Sequence, residues 1–385
     1  MSSNHKYKAI CCAAVLFPLL NIMVSFFANN EGLMTIYFGS AAALIVYSLL
    51  ICRKGTLSLE KGTILLCAAL LIVNVWIWWI DPEWYPRSQA LVFTFGMLIW
   101  HLSSKSDLPA YCLGWLEEKR LFVLAVRLIY YFFIAASVLR GEGVDILHWR
   151  TSTLAGPYRT SHILGYEMLL WATIDVIYVI GSRKKSFLFL LLLDSGLLFL
   201  TAARVTLLPL AVLYWAVIHG FKLEKKMLAV VAIACLGALA LRYTSIFKAI
   251  IEKTLRAIRT SSITSGRGLI FKTSLEAYLA ASPLKKILGM GIGNLSEYNR
   301  THIWMEIHAH NDFIDALVQY GIPGFLIYVS SFSRLFRQNR AFFSLLMIGS
   351  LALMNGFYMY SSAVMGTVLF LTVDESLAGR KKRGG

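Results

Sequence analysis

Two histidines, an asparagine and two aspartates crowd the segment WMEIHAHNDFIDALVQYGIPG (304–324): His308, His310, Asn311, Asp312 and Asp315. An unperturbed imidazole titrates close to neutrality, so His310 or its neighbour is suited to act as a general base toward a hydroxyl. If a helix begins near Asn311, then Asp312 and Asp315 lie in its first turn, where negative charge is favoured by the helix dipole. His, His and Asp are also metal-ligand types. HxH with one carboxylate falls short of a ligand set, however, and neither a metal nor another cofactor is expected.

Arginines supply the complementary charge. Arg204 stands in TAARVTLL (201–208) between apolar flanks, so it must snorkel outward, pair, or face a wet cavity. Arg267 stands in SGRGLIF (265–271), behind Ser and Gly at the start of a helical pattern. There its charge adds to open backbone N–H groups, a place suited to an oxyanion. Guanidinium forks match phosphate oxygens, so a phosphate-bearing substrate is the natural ligand. Arg140, Arg150, Arg159 and His162, around a medium loop, are candidates for further phosphate or sugar contacts.

Composition dictates the elements that must position these residues. Of 385 residues, 58% are apolar and 15% charged, and the mean hydropathy is +0.65. Soluble domains carry roughly 45–50% apolar and about 25% charged residues, so an ordinary cytosolic enzyme, a disordered chain and a disulfide scaffold are all excluded. Twelve apolar stretches can be marked: 9–28, 33–52, 63–80, 88–103, 121–139, 162–181, 186–201, 203–220, 227–241, 312–331, 341–357 and 360–374. Lipid offers the backbone no hydrogen-bond partners, so each is expected to be a helix. The fold class is all-α, a polytopic integral membrane protein of about 12 transmembrane helices. No cleavable signal peptide is evident in the first stretch.

The net charge of +16 is not a nucleic-acid signal. With the N-terminus inside, most of the basic residues fall on cytoplasmic segments, from Lys6 and Lys8 to Arg380–Arg383, as the positive-inside rule requires. Both termini are then cytoplasmic, and an even number of spans fits. None of the six cysteines lies in an outside loop, and no CxxC spacing occurs. The chain divides into helices one to nine (1–241, with a periplasmic loop at 140–161), a large periplasmic loop (242–311), and helices ten to twelve with a basic cytoplasmic tail (312–385).

The large loop holds ten basic residues against four acids, which opposes the usual topological bias. Either it rests on anionic headgroups or it meets an anionic substrate. Helical spacing through Ile246–Ile258 and again through Leu269–Leu279 predicts two helices, then a turn at Ser282-Pro283 and the Gly-rich GMGIG (289–293). No strand precedes GMGIG, so a dinucleotide site is not expected. Arg127, Glu167, Asp175 and Asp194 fall inside spans, where they pair with one another, line a cavity or form a proton relay.

These motifs together resemble the O-antigen ligase/polymerase family of bacterial envelope proteins. The resemblance rests on a His-Asn signature followed by nine residues, Gly, two residues and Gly. Here it reads His310-Asn311, then Gly321, then Gly324. It extends to the Arg204 and Arg267 segments, covering roughly residues 190–330.

The resemblance implies glycan transfer at the periplasmic face of the bacterial inner membrane, from an oligosaccharide linked through diphosphate to undecaprenol. The acceptor is a second lipid-linked repeat in a polymerase, and the lipid A–core in a ligase. His310 is then the catalytic base, and Arg204 and Arg267 hold the diphosphate. His308, Asn311 and Asp312 orient the base or sugar, while Arg140 and Arg159 add contacts. The expected partners are the lipid-linked oligosaccharide, the glycan acceptor, the bilayer and a chain-length regulator. The SGR and HAHNDFID elements favour a polymerase over a ligase. A secondary transporter is the alternative from another class, with Arg127, Asp175 and Asp194 as coupling groups.

Overall fold

The computed structural model describes residues 7–27, 31–54, 61–105, 107–142, 144–146, 152–158, 160–220, 267–339, 341–358 and 360–384. The predicted span 227–241, the first helical pattern of the large loop, Arg150 and Arg159 lie outside the described residues. The first nine helices are α1 (Lys8–Phe26), α2 (Glu31–Lys54), α3 (Lys61–Ile80), α4 (Trp84–Lys105), α5 (Leu108–Glu118), α6 (Arg120–Leu139), α7 (Ser161–Ile180), α8 (Phe187–Leu200) and α9 (Leu207–Gly220). After the undescribed stretch come α10 (Arg267–Ala280), α11 (Pro283–Leu288), α12 (Ile292–Ile303), α13 (Asp312–Asn339), α14 (Phe342–Met354), α15 (Ser361–Met365) and α16 (Thr367–Gly384).

Among the described residues, four helices are long and apolar enough to cross a bilayer: α1, α6, α7 and Asp312–Arg337 of α13. Five shorter apolar helices accompany them, on α2, α3, α8, α9 and α14. Helix α7 is buried along almost its whole length, and apart from Glu167 and Asp175 its sequence is largely apolar all round, as a central helix requires. Helices α8, α9 and α16 pack around it.

Several elements depart from the sequence expectation. The medium loop contains a short antiparallel ribbon, β1 (Val144–Ile146) against β2 (Ser152–Leu154), with Val144 opposite Leu154. Helix α5 occupies a stretch read as a simple cytoplasmic connection. It keeps an apolar face for burial through Leu108, Cys112, Trp115 and Leu116. Among the described residues of the large loop there are three helices, not one, and Ser282 accepts from the Lys285 N–H to begin α11 at the predicted turn.

The two glycines of the His-Asn signature have a steric explanation. Helix α13 breaks at Gly321, whose φ of +68° is strained for any side chain. The break frees two carbonyls: Val318 O accepts from Met290 N–H at 2.8 Å and Gly291 N–H donates to Gln319 O at 3.0 Å. GMGIG is therefore a strap laid against the broken helix. A Cβ on Gly321 would sit 2.3 Å from Ile287 O, and one on Gly324 would sit 2.2 Å from Tyr320 Cβ. Tyr320 in turn stacks on Phe93 of α4 at 4.3 Å.

Gly321→Ala should lower stability by at least about 1–3 kcal/mol from backbone strain alone, before the clash is counted. Thermal unfolding of the purified protein in detergent measures this. A melting temperature equal to that of Gly39→Ala, where a Cβ meets nothing within 4 Å, would count against the strap.

Candidate active site

At one end of the bundle the turn before α9, the start of α10, the loop before α13 and the turn after α14 converge. Arg204 begins a short 3-10 turn, Arg204–Thr206, that leads into α9. Ala202, just before it, has a left-handed backbone, φ +51°. The turn lies tight against α7 because Gly165 has no side chain. A Cβ there would stand 2.7 Å from Ala203 Cβ.

Arg267 is the first residue of α10 and half-buried. Its Nη2 donates to Asn355 Oδ1 at 3.3 Å. Burial pulls the Arg267 guanidinium below its usual range, while Tyr166 and Tyr360 beside it act the other way. Arg204 is close enough to Arg267 for their like charges to repel. Two half-buried cations held together in this way favour an anion between them.

His310 meets the same asparagine. Its Nδ1 lies 3.3 Å from Asn355 O, a carbonyl that can only accept, so Nδ1 carries the proton and Nε2 keeps its lone pair. The residue has φ +57°, an uncommon conformation for a side-chain-bearing residue and one often stored at functional sites. Burial first, then His308, Arg267 and His162, push the imidazole down to about 3, against a smaller opposing effect of the Asn355 carbonyl.

The neighbouring polar residues hold this loop in place. Asn311 Oδ1 accepts from the Phe313 and Ile314 N–H groups at 3.0 and 3.2 Å, an N-cap for α13. Asp312 is fully buried and does not cap. It accepts from Phe357 N–H at 2.7 Å and from the Tyr328 hydroxyl at 2.7 Å, tethering the turn that carries Asn355. Asp315 Oδ1 accepts from Ala309 N–H and from Gln319 Nε2, and its Oδ2 lies 3.0 Å from His308 Nδ1. The His308 and His310 rings stand 4.4 Å apart.

Arg204, Arg267, His308, His310, Asn311 and Asp312 are thus brought together. Arg140 is drawn elsewhere, over the Phe26 ring at 4.3 Å, because α6 ends beside α1. Asn355, Tyr166 and Tyr360 were missed by sequence reasoning. The Tyr166 and Tyr360 rings stack at 4.0 Å, and Asn355 Nδ2 donates to the Tyr360 hydroxyl at 2.6 Å. The available signal was a polar Asn-Gly interrupting an apolar span at 355–356.

The ionisable residues inside the spans are paired. Arg127 donates to Asp175 at 2.6 Å and to Asp194 at 2.8 Å, joining α6, α7 and α8. Glu167 accepts from Asn21, Tyr130, Tyr158 and Ser362.

The site is anchored from α3 and the turn that follows it as well. Asp81 Oδ2 accepts from Ile292 N–H at 2.8 Å, and Trp76 Nε1 donates to Gly289 O at 2.7 Å. Hydrogen bonds to charged groups contribute about 1.5–3 kcal/mol. Asp81→Ala should therefore speed amide exchange across residues 288–311 while leaving α7 protected. Unchanged exchange in that segment would count against the anchor.

Residues 187–329 match the Wzy_C family model, O-antigen ligase. The matched stretch contains Arg204, Arg267 and His310 and supports the resemblance to the O-antigen ligase/polymerase family. No curated protein matches the chain.

Proposed function

We propose that the protein transfers an oligosaccharide from undecaprenyl diphosphate to a second lipid-linked repeat unit, as an O-antigen, capsule or exopolysaccharide polymerase of the bacterial inner membrane. The observation that carries this reading is the meeting of Arg267 and His310 at Asn355, with Arg204 beside Arg267, from segments far apart in sequence. In this reading twelve spans place both termini in the cytoplasm, and residues 267–311 cover the site on the periplasmic side.

The acceptor hydroxyl attacks the anomeric carbon of the donor sugar while the C1–O bond to phosphate breaks. A new glycosidic bond forms, His310 Nε2 takes the hydroxyl proton, and undecaprenyl diphosphate leaves with the bonding pair. Arg204 and Arg267 bind the diphosphate and neutralise the charge that develops on it. Asn355 and His308 hold the two reacting ends in register. His310 then returns its proton to solvent or to the departing diphosphate.

Transfer in detergent from lipid-linked donor should persist in excess EDTA, since the charge neutralisation is assigned to the arginines. Loss of turnover on chelation, with recovery on adding Mg²⁺, would reverse that assignment. A deletion strain separates the two activities of the family. A polymerase null decorates its core with single repeats, whereas a ligase null leaves bare core and accumulates lipid-linked polymer.

A further inference from the structure

Between α1, α2, α4 and the segment joining β2 to α7 lies a cleft of about 840 Å³. Cavities of a few hundred to about 1,000 Å³ are the usual size of small-ligand sites. The cleft shares His308, Tyr166 and Tyr360 with the candidate active site, so the two are contiguous. Its lining mixes apolar side chains, among them Val24, Met34, Phe38 and Ile163, with polar uncharged ones: apart from His308, no ionisable acid or base other than tyrosine contributes to it among the described residues. Asn21, Ser25, Gln89 and Ser361 contribute amides and hydroxyls, and Tyr37 and Tyr158 contribute aromatic side chains.

This chemistry selects against two of the three components of a lipid-linked glycan. A diphosphate calls for fixed cations, which stand at Arg204 and Arg267. A hydrocarbon tail would cover the apolar side chains but leave the amides and hydroxyls desolvated without partners, whereas a saccharide offers both apolar ring faces and hydroxyls. The amide oxygen of Gln89 already has no hydrogen-bond partner among the described residues, and a buried acceptor in that state calls for a donor. The cleft is also built to be rigid. Glu167, fully buried behind it, fixes Asn21, Tyr158 and Ser362 through hydrogen bonds to its carboxylate.

We propose that this cleft is the subsite for the acceptor saccharide, a neutral oligosaccharide held by amides, hydroxyls and tyrosine side chains with its attacking hydroxyl directed past His308 to His310. The proposal rests on the glycosyl-transfer reading and names where the second substrate binds.

The test uses the whole chain in nanodiscs and two saccharide probes. One is the oligosaccharide released by mild acid from the lipid-linked material that a deletion strain accumulates, and the other is the delipidated core oligosaccharide. Calorimetry should show one of them binding, with affinity reduced about tenfold or more by Gln89→Leu and by Ser25→Trp. Binding of inorganic pyrophosphate should change less than about twofold in both variants. The probe that binds identifies the source of the acceptor.

Saccharide affinity unchanged in both variants, absence of binding by either probe, or displacement of the saccharide by undecanol would overturn the proposal. Saccharide binding that responds to both substitutions, in a wild-type protein that performs no transfer, would instead remove the glycosyl-transfer reading and leave the subsite standing.

Discussion

His310→Ala should lower the turnover of glycan transfer by about 10²–10⁴, the range expected for loss of a positioned general base, without loss of membrane insertion. The expectation follows from geometry before chemistry. The Nδ1 proton is committed to the Asn355 carbonyl, so the free lone pair is on Nε2. The ring is fixed by a left-handed backbone between the His308–Asp315 contact and the Asn311 cap.

The pH dependence has a definite sign. Burial, His308, Arg267 and His162 all disfavour the imidazolium, so in the unliganded protein His310 stays neutral down to about pH 3. The acid limb of kcat/KM, which reports the free enzyme, should lie well below the ordinary imidazole value of about 6.5. A bound diphosphate brings negative charge beside the ring and raises its proton affinity. The acid limb of kcat should therefore fall at higher pH than that of kcat/KM. Wild-type turnover in His310→Ala, or an acid limb of kcat that survives the substitution unchanged, would remove His310 from the role of base.

Arg204→Ala and Arg267→Ala should each reduce turnover by about 10²–10³, by analogy with the loss of one preorganised donor to a developing anion. The double variant should lose much less than the product of the two, because both residues act on one diphosphate and their effects are coupled. Each single variant should also weaken binding of inorganic pyrophosphate.

Arg267→Lys should recover only part of the activity. A lysine ammonium can reach either Asn355 or a phosphate oxygen, whereas the guanidinium fork spans both. Single losses that multiply cleanly in the double variant would mean two independent sites, and the shared crevice would be wrong. Retained turnover in Arg204→Ala would confine the diphosphate to Arg267.

Much of the candidate site was legible because membrane sequences punish misplaced polarity. Arg204 stands out among apolar neighbours, and the paired histidines of HAHN are more than a helix cap calls for. Spacing also announced the helix start at Arg267, the turn at Ser282-Pro283 and the first turn of α13. The assignment of partners was not legible. Asp312 reads as a helix-cap residue beside Asn311, but only Asn311 caps. Asp312 reaches across to the turn after α14 instead. Arg140 carries the same charge as Arg267 and was grouped with it as a phosphate contact, yet α6 delivers it to Phe26.

Composition and periodicity alone determined that this is a helical membrane protein and which residues are costly to place in it. They did so because burial of apolar surface and satisfaction of backbone groups are local demands, readable residue by residue. Which costly residues meet was decided by the tertiary structure. The break at Gly321 lets the 289–291 strap lie against α13, Gly165 lets the Arg204 turn lie against α7, and Asn355 receives both Arg267 and His310. Each contact joins segments distant in the chain, and close packing of helices, not any pattern within one of them, brings those segments within hydrogen-bonding reach.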